Sequence, residues 1–213
     1  AGRGGMGTVF ADKGIKAIVA RWATVKLDTN NPKDRVALKK VAKLHSREIA
    51  ELDPKQNEMA KIGTTHLVPI MNDFDLLPIH NFKYGQHKAA SLIGREVYQA
   101  LFDPGFDGCW LGCTVACAHG VRDFVPLTGP YKGKRVFVDG PEYETIAGCG
   151  SNIGIFDPFT ILEMNFYCDA YGLDTISVGT CIGFVMECFE LGLINEKHTC
   201  GLVLQFGNRQ AAL

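Results

Sequence analysis

Apolar residues recur along this chain with two spacings, and breaker clusters separate the stretches. Residues 15–20, Ile15-Lys16-Ala17-Ile18-Val19-Ala20, form a short and mostly apolar run, which predicts a buried strand. Asp28-Thr29-Asn30-Asn31-Pro32 breaks the pattern, so a domain boundary is expected there. Beyond it Val36, Val41, Leu44 and Ile49 mark one face of a helix, with Lys and Arg opposite. Asn31 can cap that helix with Pro32 at its first position, and Asp53-Pro54 stops it near Leu52. A second short helix is predicted over residues 55–62, ended by Gly63. Residues 64–85 carry Pro69, Pro78 and Gly85 without a clean period and read as an ordered loop. Residues 86–101 form another helix candidate, closed by Asp103-Pro104-Gly105.

In the second half, residues 121–125 and 135–138 read as short strands flanking the turn Gly129-Pro130-Tyr131-Lys132-Gly133. Asp157-Pro158 opens a helix that Gly172 ends as a left-handed cap. Residues 180–191 read as an apolar helix ended by Gly192. The expected fold class is mainly α with a small β portion. Residues 1–28 would be the end of a β domain, and residues 29–213 a helical domain.

Hydrophobic residues make up 46% of the 213 and charged residues 21%, with a formal net charge of -1. That composition excludes a disordered chain. Near-zero charge provides no broad footprint for nucleic acid, so no nucleic-acid partner is expected. No apolar run reaches the roughly 18 residues of a membrane span. Both ends read as cut through structure, because Gly2-Arg3-Gly4-Gly5 looks like a loop interior and Phe206-Gly207-Asn208-Arg209 like a helix just starting. An internal piece of a longer protein is therefore expected.

Composition adds two excesses, 24 glycines and eight cysteines. Three cysteines fall in nine residues: Cys109, Cys113 and Cys117 give C-x3-C-x3-C. On a helix or helical loop, steps of four bring all three thiols to one side. That suits an iron–sulfur cube, which needs four ligands. Structural zinc more often shows C-x2-C pairs, and a set of small buried thiols is the bland alternative. Cys149, Cys168, Cys181, Cys188 and Cys200 lie singly.

Three further segments carry chemistry. Gly2-Arg3-Gly4-Gly5-Met6-Gly7 satisfies G-x-G-x-x-G, but the dinucleotide reading needs a strand before it and a helix after it. With a strand expected to follow, that context fails. Bare amides and Arg3 still suit phosphate oxygens, and a plain turn is the alternative. Glu142, Tyr143 and Glu144 on a short acidic loop can supply a general acid or base, or form a solvated turn. Asp169 and Asp174 flank the Gly172 cap, and acids at a helix C-terminus oppose its dipole. Such a cost suggests acceptors for a ligand's N–H groups.

Taken in order, Gly-Arg-Gly-Gly-Met-Gly, Leu-Pro-Ile-His-Asn-Phe, C-x3-C-x3-C, Pro-Glu-Tyr-Glu-Thr, Asp-Ala-Tyr-Gly-Leu-Asp-Thr-Ile-Ser and Phe-Gly-Asn span nearly the whole chain. The chain resembles the aldehyde:ferredoxin oxidoreductase family of tungsten enzymes. The resemblance implies tungsten, rarely molybdenum, held by two pterins, with magnesium bridging their phosphates and a 4Fe–4S cluster nearby. It implies that Arg3, Gly4, Gly5 and Gly7 hold pterin phosphate, and that Asp169, Leu173 and Asp174 bind a pterin ring. It makes Glu144 the acid beside the metal, with Tyr143 next to it. It makes Cys109, Cys113 and Cys117 cluster ligands, one residue wider than the family's usual C-x2-C-x3-C, with a fourth cysteine outside this chain. The implied enzyme is a cytoplasmic, anaerobic oxidoreductase that works with ferredoxin or an iron–sulfur subunit, as a homo- or hetero-oligomer.

Two branches of that family differ in reaction. One oxidises aldehydes. The other, the tungsten subunit of class II benzoyl-CoA reductases, reduces an aromatic acyl-CoA and uses a cysteine thiolate on tungsten. Cys149, in Ala147-Gly148-Cys149-Gly150, is well placed in sequence for that thiolate, and His87 for a proton donor. Cys149 and the widened spacing favour the second branch. A small residue in a tight turn is the alternative for Cys149, and a helix-start surface residue for His87. A non-catalytic iron–sulfur electron-transfer module is a further reading, but it leaves the Gly-Arg start and paired aspartates without a role.

Overall fold

A computed structural model of the chain describes residues 3–19, 21, 32–102 and 113–213. Its spine is α7 (Pro158–Tyr171), which starts as the sequence predicts. Asp157 accepts a hydrogen bond from Thr160 N at 3.0 Å, and Pro158 takes the first turn, where no amide partner is needed. Half of the helix is buried, polar residues included. Glu163 accepts from Leu127 N at 3.1 Å, Thr128 N at 2.7 Å and Thr128 Oγ1 at 2.6 Å. Asn165 Nδ2 donates to Asp139 O. Each buried polar group is thus satisfied, and each bond ties α7 to the β-hairpin beside it.

That hairpin pairs β1 (Gly120–Phe124) with β2 (Val136–Asp139) antiparallel, Gly120 opposite Asp139 and Val121 opposite Val138. The register shifts before Phe124 pairs with Val136, and Asp123 there takes φ 53°. Around α7 and the hairpin lies one apolar core that includes Val68, Leu77, Ile93, Tyr98, Ile146 and Met186.

Helix α2 (Arg35–Leu52) ends where Asp53-Pro54 predicts but begins later, capped by Asp34, whose Oδ1 accepts from Val36 N and Ala37 N, both at 2.9 Å. The expected cap Asn31 and the boundary at residues 28–31 lie outside the described residues. None of the helix is buried, and Val36 on its apolar face is 80% exposed.

Several expectations are corrected. Residues 15–19 form no strand: Ile18 and Val19 are 69% and 88% exposed, and an apolar run without a pairing partner has no ladder to join. Ala20 lies outside the described residues. A short helix, α1 (Met6–Asp12), precedes that run instead. The helix expected over residues 55–62 is reduced to α3 (Met59–Ile62), ended by Gly63. Residues 64–85 are not one loop. A 3-10 turn, Gly63–His66, leads into α4 (Leu67–Asp73), where Pro69 falls in the first turn and costs no hydrogen bond. The helix expected over 86–101 is split at Gly94 into a 3-10 stretch, Lys88–Ile93, and α5 (Arg95–Leu101).

The supposed acidic loop is the start of α6 (Tyr143–Cys149), and α8 (Thr175–Glu190) begins five residues before the apolar run that announced it. A Cβ on Gly179 of α8 would lie 2.3 Å from the Gly148 carbonyl carbon of α6. Gly179, a helix breaker by propensity, is therefore where α6 and α8 come into backbone contact. Near the end, Asn208 caps the short α9 (Arg209–Ala212).

Candidate functional site

Helices α6, α7 and α8 meet at one corner, and five of the predicted site residues, Tyr143, Glu144, Asp169, Leu173 and Asp174, lie on them or between them. Gly172 ends α7 in the left-handed conformation (φ 69°). Two residues later Asp174 begins α8, its Oδ2 accepting from Ser177 N at 2.9 Å and Ser177 Oγ at 2.6 Å. Those bonds, joined by the Arg3 guanidinium, hold its carboxyl below the ordinary carboxylate range. This corrects the electrostatic reading of the pair. Asp174 stands at a favourable helix start, and only Asp169, in the last turn of α7, opposes a dipole. Partial burial raises the Asp169 pKa, and no hydrogen-bond donor among the described residues reaches it. Leu173 beside them is half exposed.

Arg3 of the glycine-rich start lies within electrostatic range of Asp174, without an ion pair between them. Gly5 is left-handed (φ 75°), and a Cβ on Gly4, Gly5 or Gly7 would meet nothing within 4 Å. The loop is thus open along its length, and only Gly5 needs glycine for its backbone. A helix does follow it, contrary to the expected strand.

Helix α6 brings in the acid. Glu144 is exposed on its first turn; Tyr143 is buried, and burial together with Glu144 pushes its phenol up. Thr145 Oγ1 lies 2.9 Å from Thr175 Oγ1, and Cys149 Sγ donates to Thr175 O at 3.5 Å. The residue after Glu144 is therefore bonded to the residue after Asp174. The sequence gives no sign of this pairing, because hydroxyls 30 residues apart follow no local pattern.

Two further expected residues sit elsewhere. Cys149 is the last residue of α6, fully buried in the core, rather than part of a tight turn. A hydrogen bond with Cys168 and burial push its thiol well above the usual cysteine range. A ready thiolate is the opposite of that state. His87 caps the Lys88–Ile93 turn, its Nδ1 accepting from Ala89 N at 3.1 Å, and its ring stacks on Phe156 at 4.4 Å. These contacts tie it to structure and to none of the other predicted site residues.

Of the cluster cysteines, Cys109 lies outside the described residues, Cys113 is exposed and Cys117 half-buried. Residues 113–119 are irregular rather than helical, with Ala116 at φ 48°. They are anchored from below: a Cβ on Gly63 would meet Cys117 O at 2.7 Å, and His119 stacks on Phe102 at 5.0 Å. Among the described residues no three His, Cys, Asp or Glu side chains form a ready metal group.

The motif Leu-Pro-Ile-His-Asn-Phe makes an unusual turn. His80, Asn81 and Phe82 all have positive φ, from 49° to 63°. Such conformations cost about 1–3 kcal/mol each for residues other than glycine. Asn152 opposes that cost by accepting from Asn81 N at 2.8 Å through its carbonyl and from Phe82 N at 3.0 Å through its side chain.

No single helix among the described residues is long and apolar enough to cross a membrane, and the α7–α8 pair is bent by 117° at Gly172.

These features define a mainly α protein whose acidic helix, aspartate corner and arginine–glycine loop converge. The chain belongs to the aldehyde ferredoxin oxidoreductase family: the model of that family's domains 2 and 3 matches residues 40–213. The tungsten-containing aldehyde ferredoxin oxidoreductase of Pyrococcus horikoshii is 34% identical over 99% of this chain and 33% of its own length. The protein of the same description from Pyrococcus abyssi is 33% identical, with the same coverage. An aliphatic sulfonate oxidoreductase, WOR-like subunit, of Pyrococcus furiosus is 29% identical over 99% of this chain and 32% of its own length. The chain thus spans about a third of the curated relatives it matches.

Proposed function

We propose that the chain forms part of a cytoplasmic tungsten bis-pterin oxidoreductase that oxidises an aldehyde to a carboxylic acid and delivers two electrons to ferredoxin. The single observation that carries this reading is the Thr145–Thr175 bond, which sets the Glu144-bearing helix beside the Asp174 helix start, with Arg3 within electrostatic range. A phosphate-bearing heterocycle needs that donor set: a cation with open amides for the phosphate, and carboxylates for ring N–H groups. Asp169, which accepts from no donor among the described residues, offers the acceptor such a ring requires. The residues present therefore fit the group.

In this reading Arg3 and the amides of Gly4, Gly5 and Gly7 bind pterin phosphates, with backbone oxygens close to magnesium. Asp169 and Asp174 accept from the pterin ring, and Leu173 packs against it. Cys109, Cys113 and Cys117 bind a 4Fe–4S cluster, with a fourth thiolate from elsewhere in the full protein. The bound tungsten would take the two electrons, and the cluster would pass them on. Glu144 takes a proton from water or the hydrated aldehyde, with Tyr143 ordering its surroundings. Aldehyde plus water gives carboxylate, three protons and two electrons, so a group that removes protons near the substrate is required.

The names of the relatives support aldehyde oxidation over ring reduction. The residue that spoke for the benzoyl-CoA branch, Cys149, is buried in the core, its Sγ bonded to Thr175 O. Aldehyde-dependent reduction of a viologen dye by the full-length protein tests the proposal. Glu144→Gln is expected to lower kcat by about a hundredfold or more, in the range for loss of a positioned acid–base group. Wild-type turnover by the Gln variant would refute the role of Glu144, and ring reduction of an aromatic acyl-CoA without aldehyde oxidation would refute the reaction.

A further inference from the structure

Helix α6 lacks a cap of its own. Its N-cap residue is Glu142, but the Glu142 carboxylate makes no capping bond to α6. It accepts the hydroxyl hydrogen of Thr64 instead. The same Thr64 oxygen accepts from Tyr143 N at 2.8 Å. One hydroxyl from a segment 79 residues away thus takes the place of the missing cap, joining the first helical amide to the carboxylate before it.

Thr64 is well placed for this because its turn is rigid. Thr65 Oγ1 donates to Ile62 O at 2.6 Å, and His66 Nδ1 lies 3.0 Å from Gly63 O. Gly63, one residue before Thr64, is packed under Cys117 and His119, with no room for a Cβ. Adjacent residues of one turn therefore touch the segment bearing the cluster cysteines and the helix bearing Glu144.

We infer that Thr64 and Glu142 are positioning residues that fix the first turn of α6, and with it Glu144 and Tyr143, against the aspartate corner. Glu142 is then not a second proton-handling acid, although the sequence sets it two residues from Glu144. The inference rests on the reading of Glu144 as the acid that works on substrate. Farther along, α6 is tied to Thr175 through Thr145 in its first turn and Cys149 at its end. Both of those ties go to the start of α8, and the Thr64 bond adds a fixed point at the first residue of α6 from a different segment.

The test uses the full-length cofactor-loaded protein and three variants. Thr64→Val keeps the shape and removes donor and acceptor together; Thr64→Ser restores both; Glu142→Gln keeps an acceptor oxygen. Amide exchange over residues 143–149, read by mass spectrometry, is expected to be about three- to tenfold faster in Thr64→Val and near wild type in Thr64→Ser, the scale of one lost hydrogen bond. The kcat for aldehyde is expected to fall about tenfold or more in Thr64→Val with KM little changed, because a misplaced acid costs the chemical step. Thr64→Ser is expected to recover most of that loss, and Glu142→Gln to lose only about threefold or less, since an amide oxygen still accepts one hydrogen bond.

Faster exchange with wild-type kcat in Thr64→Val would overturn the positioning role and leave a merely structural bond. A Glu142→Gln loss as deep as that of Glu144→Gln would overturn it from the other side. If Thr64→Val does not fold, the Thr64→Ser and Glu142→Gln pair still decides. If the wild-type protein oxidises no aldehyde, the proposed function fails and the catalytic assignment falls with it, while the exchange pattern shows whether the clamp itself exists.

Discussion

The crossing of α6 and α8 sets the distance between the Glu144 helix and the aspartate corner, and Gly179 is its tightest point. In Gly179→Ala the new Cβ would lie 2.3 Å from Gly148 C, 2.5 Å from its O and 2.7 Å from its Cα. All three are backbone atoms, so no side chain can rotate away. Ordinary contact begins near 3.4 Å, so the helices must part by about 1 Å. Forced separation of this kind costs roughly 1–3 kcal/mol, while exchanging glycine for alanine within a helix returns about 1 kcal/mol. From the middle of that range, about 2 kcal/mol, a net loss of about 1 kcal/mol follows, or a melting temperature lower by roughly 2–4 °C for a chain of this size. Gly148→Ala is the control: its Cβ would meet Thr175 O at 3.5 Å, an ordinary contact, so its stability should equal wild type or exceed it by up to about 1 kcal/mol. Scanning calorimetry of the two variants separates the cases. Equal melting temperatures, or a stabilised Gly179→Ala, would refute the close crossing.

Three further outcomes follow from the same geometry. Asp174→Asn keeps a capping oxygen for Ser177 but loses the charge, so stability should change by less than about 0.5 kcal/mol while pterin content of the full-length protein falls; Asp174→Ala should lose about 1 kcal/mol as well. Burial alone would raise the Asp157 pKa, but hydrogen bonds from Thr160 and Arg209 outweigh it and hold it below the ordinary 3.8. Its contribution to stability is therefore complete above that value and lost as pH falls through the lower folded one. Asp157→Asn should flatten the stability–pH curve below about pH 4 in acid titrations followed by circular dichroism, and an unchanged slope would refute it. Finally, iodoacetamide at pH 8 should label the exposed Cys181 and Cys200 in the native protein and reach the buried Cys149 only on unfolding, as read by peptide mass spectrometry.

The parts of the fold legible in sequence are those with local punctuation. Asp157-Pro158 and Gly172 bound α7 because cap chemistry is local, and β1 and β2 follow from apolar runs around a Gly-Pro turn. The elements that escaped depend on distant partners. Residues 15–19 are apolar enough for a strand but pair with no strand among the described residues. The start of α8 is concealed by Gly179, a breaker by propensity that is retained for contact with Gly148. Of the site, the residue types were legible as a constellation, and their convergence was not. Asp174 illustrates the gap: by sequence it belongs to the end of α7, and by hydrogen bonding it belongs to the start of α8. Cys149 illustrates the reverse, since an acid five residues away made it look like part of the site, while the helix between them turns it into the core.

Elemental analysis of the full-length protein, purified without oxygen, tests the central claim most directly. Tungsten together with iron is predicted in the wild type, with tungsten lost and iron retained when both Asp169 and Asp174 are changed to Ala. Iron without tungsten in the wild type would contradict the account and leave an electron-transfer module in its place.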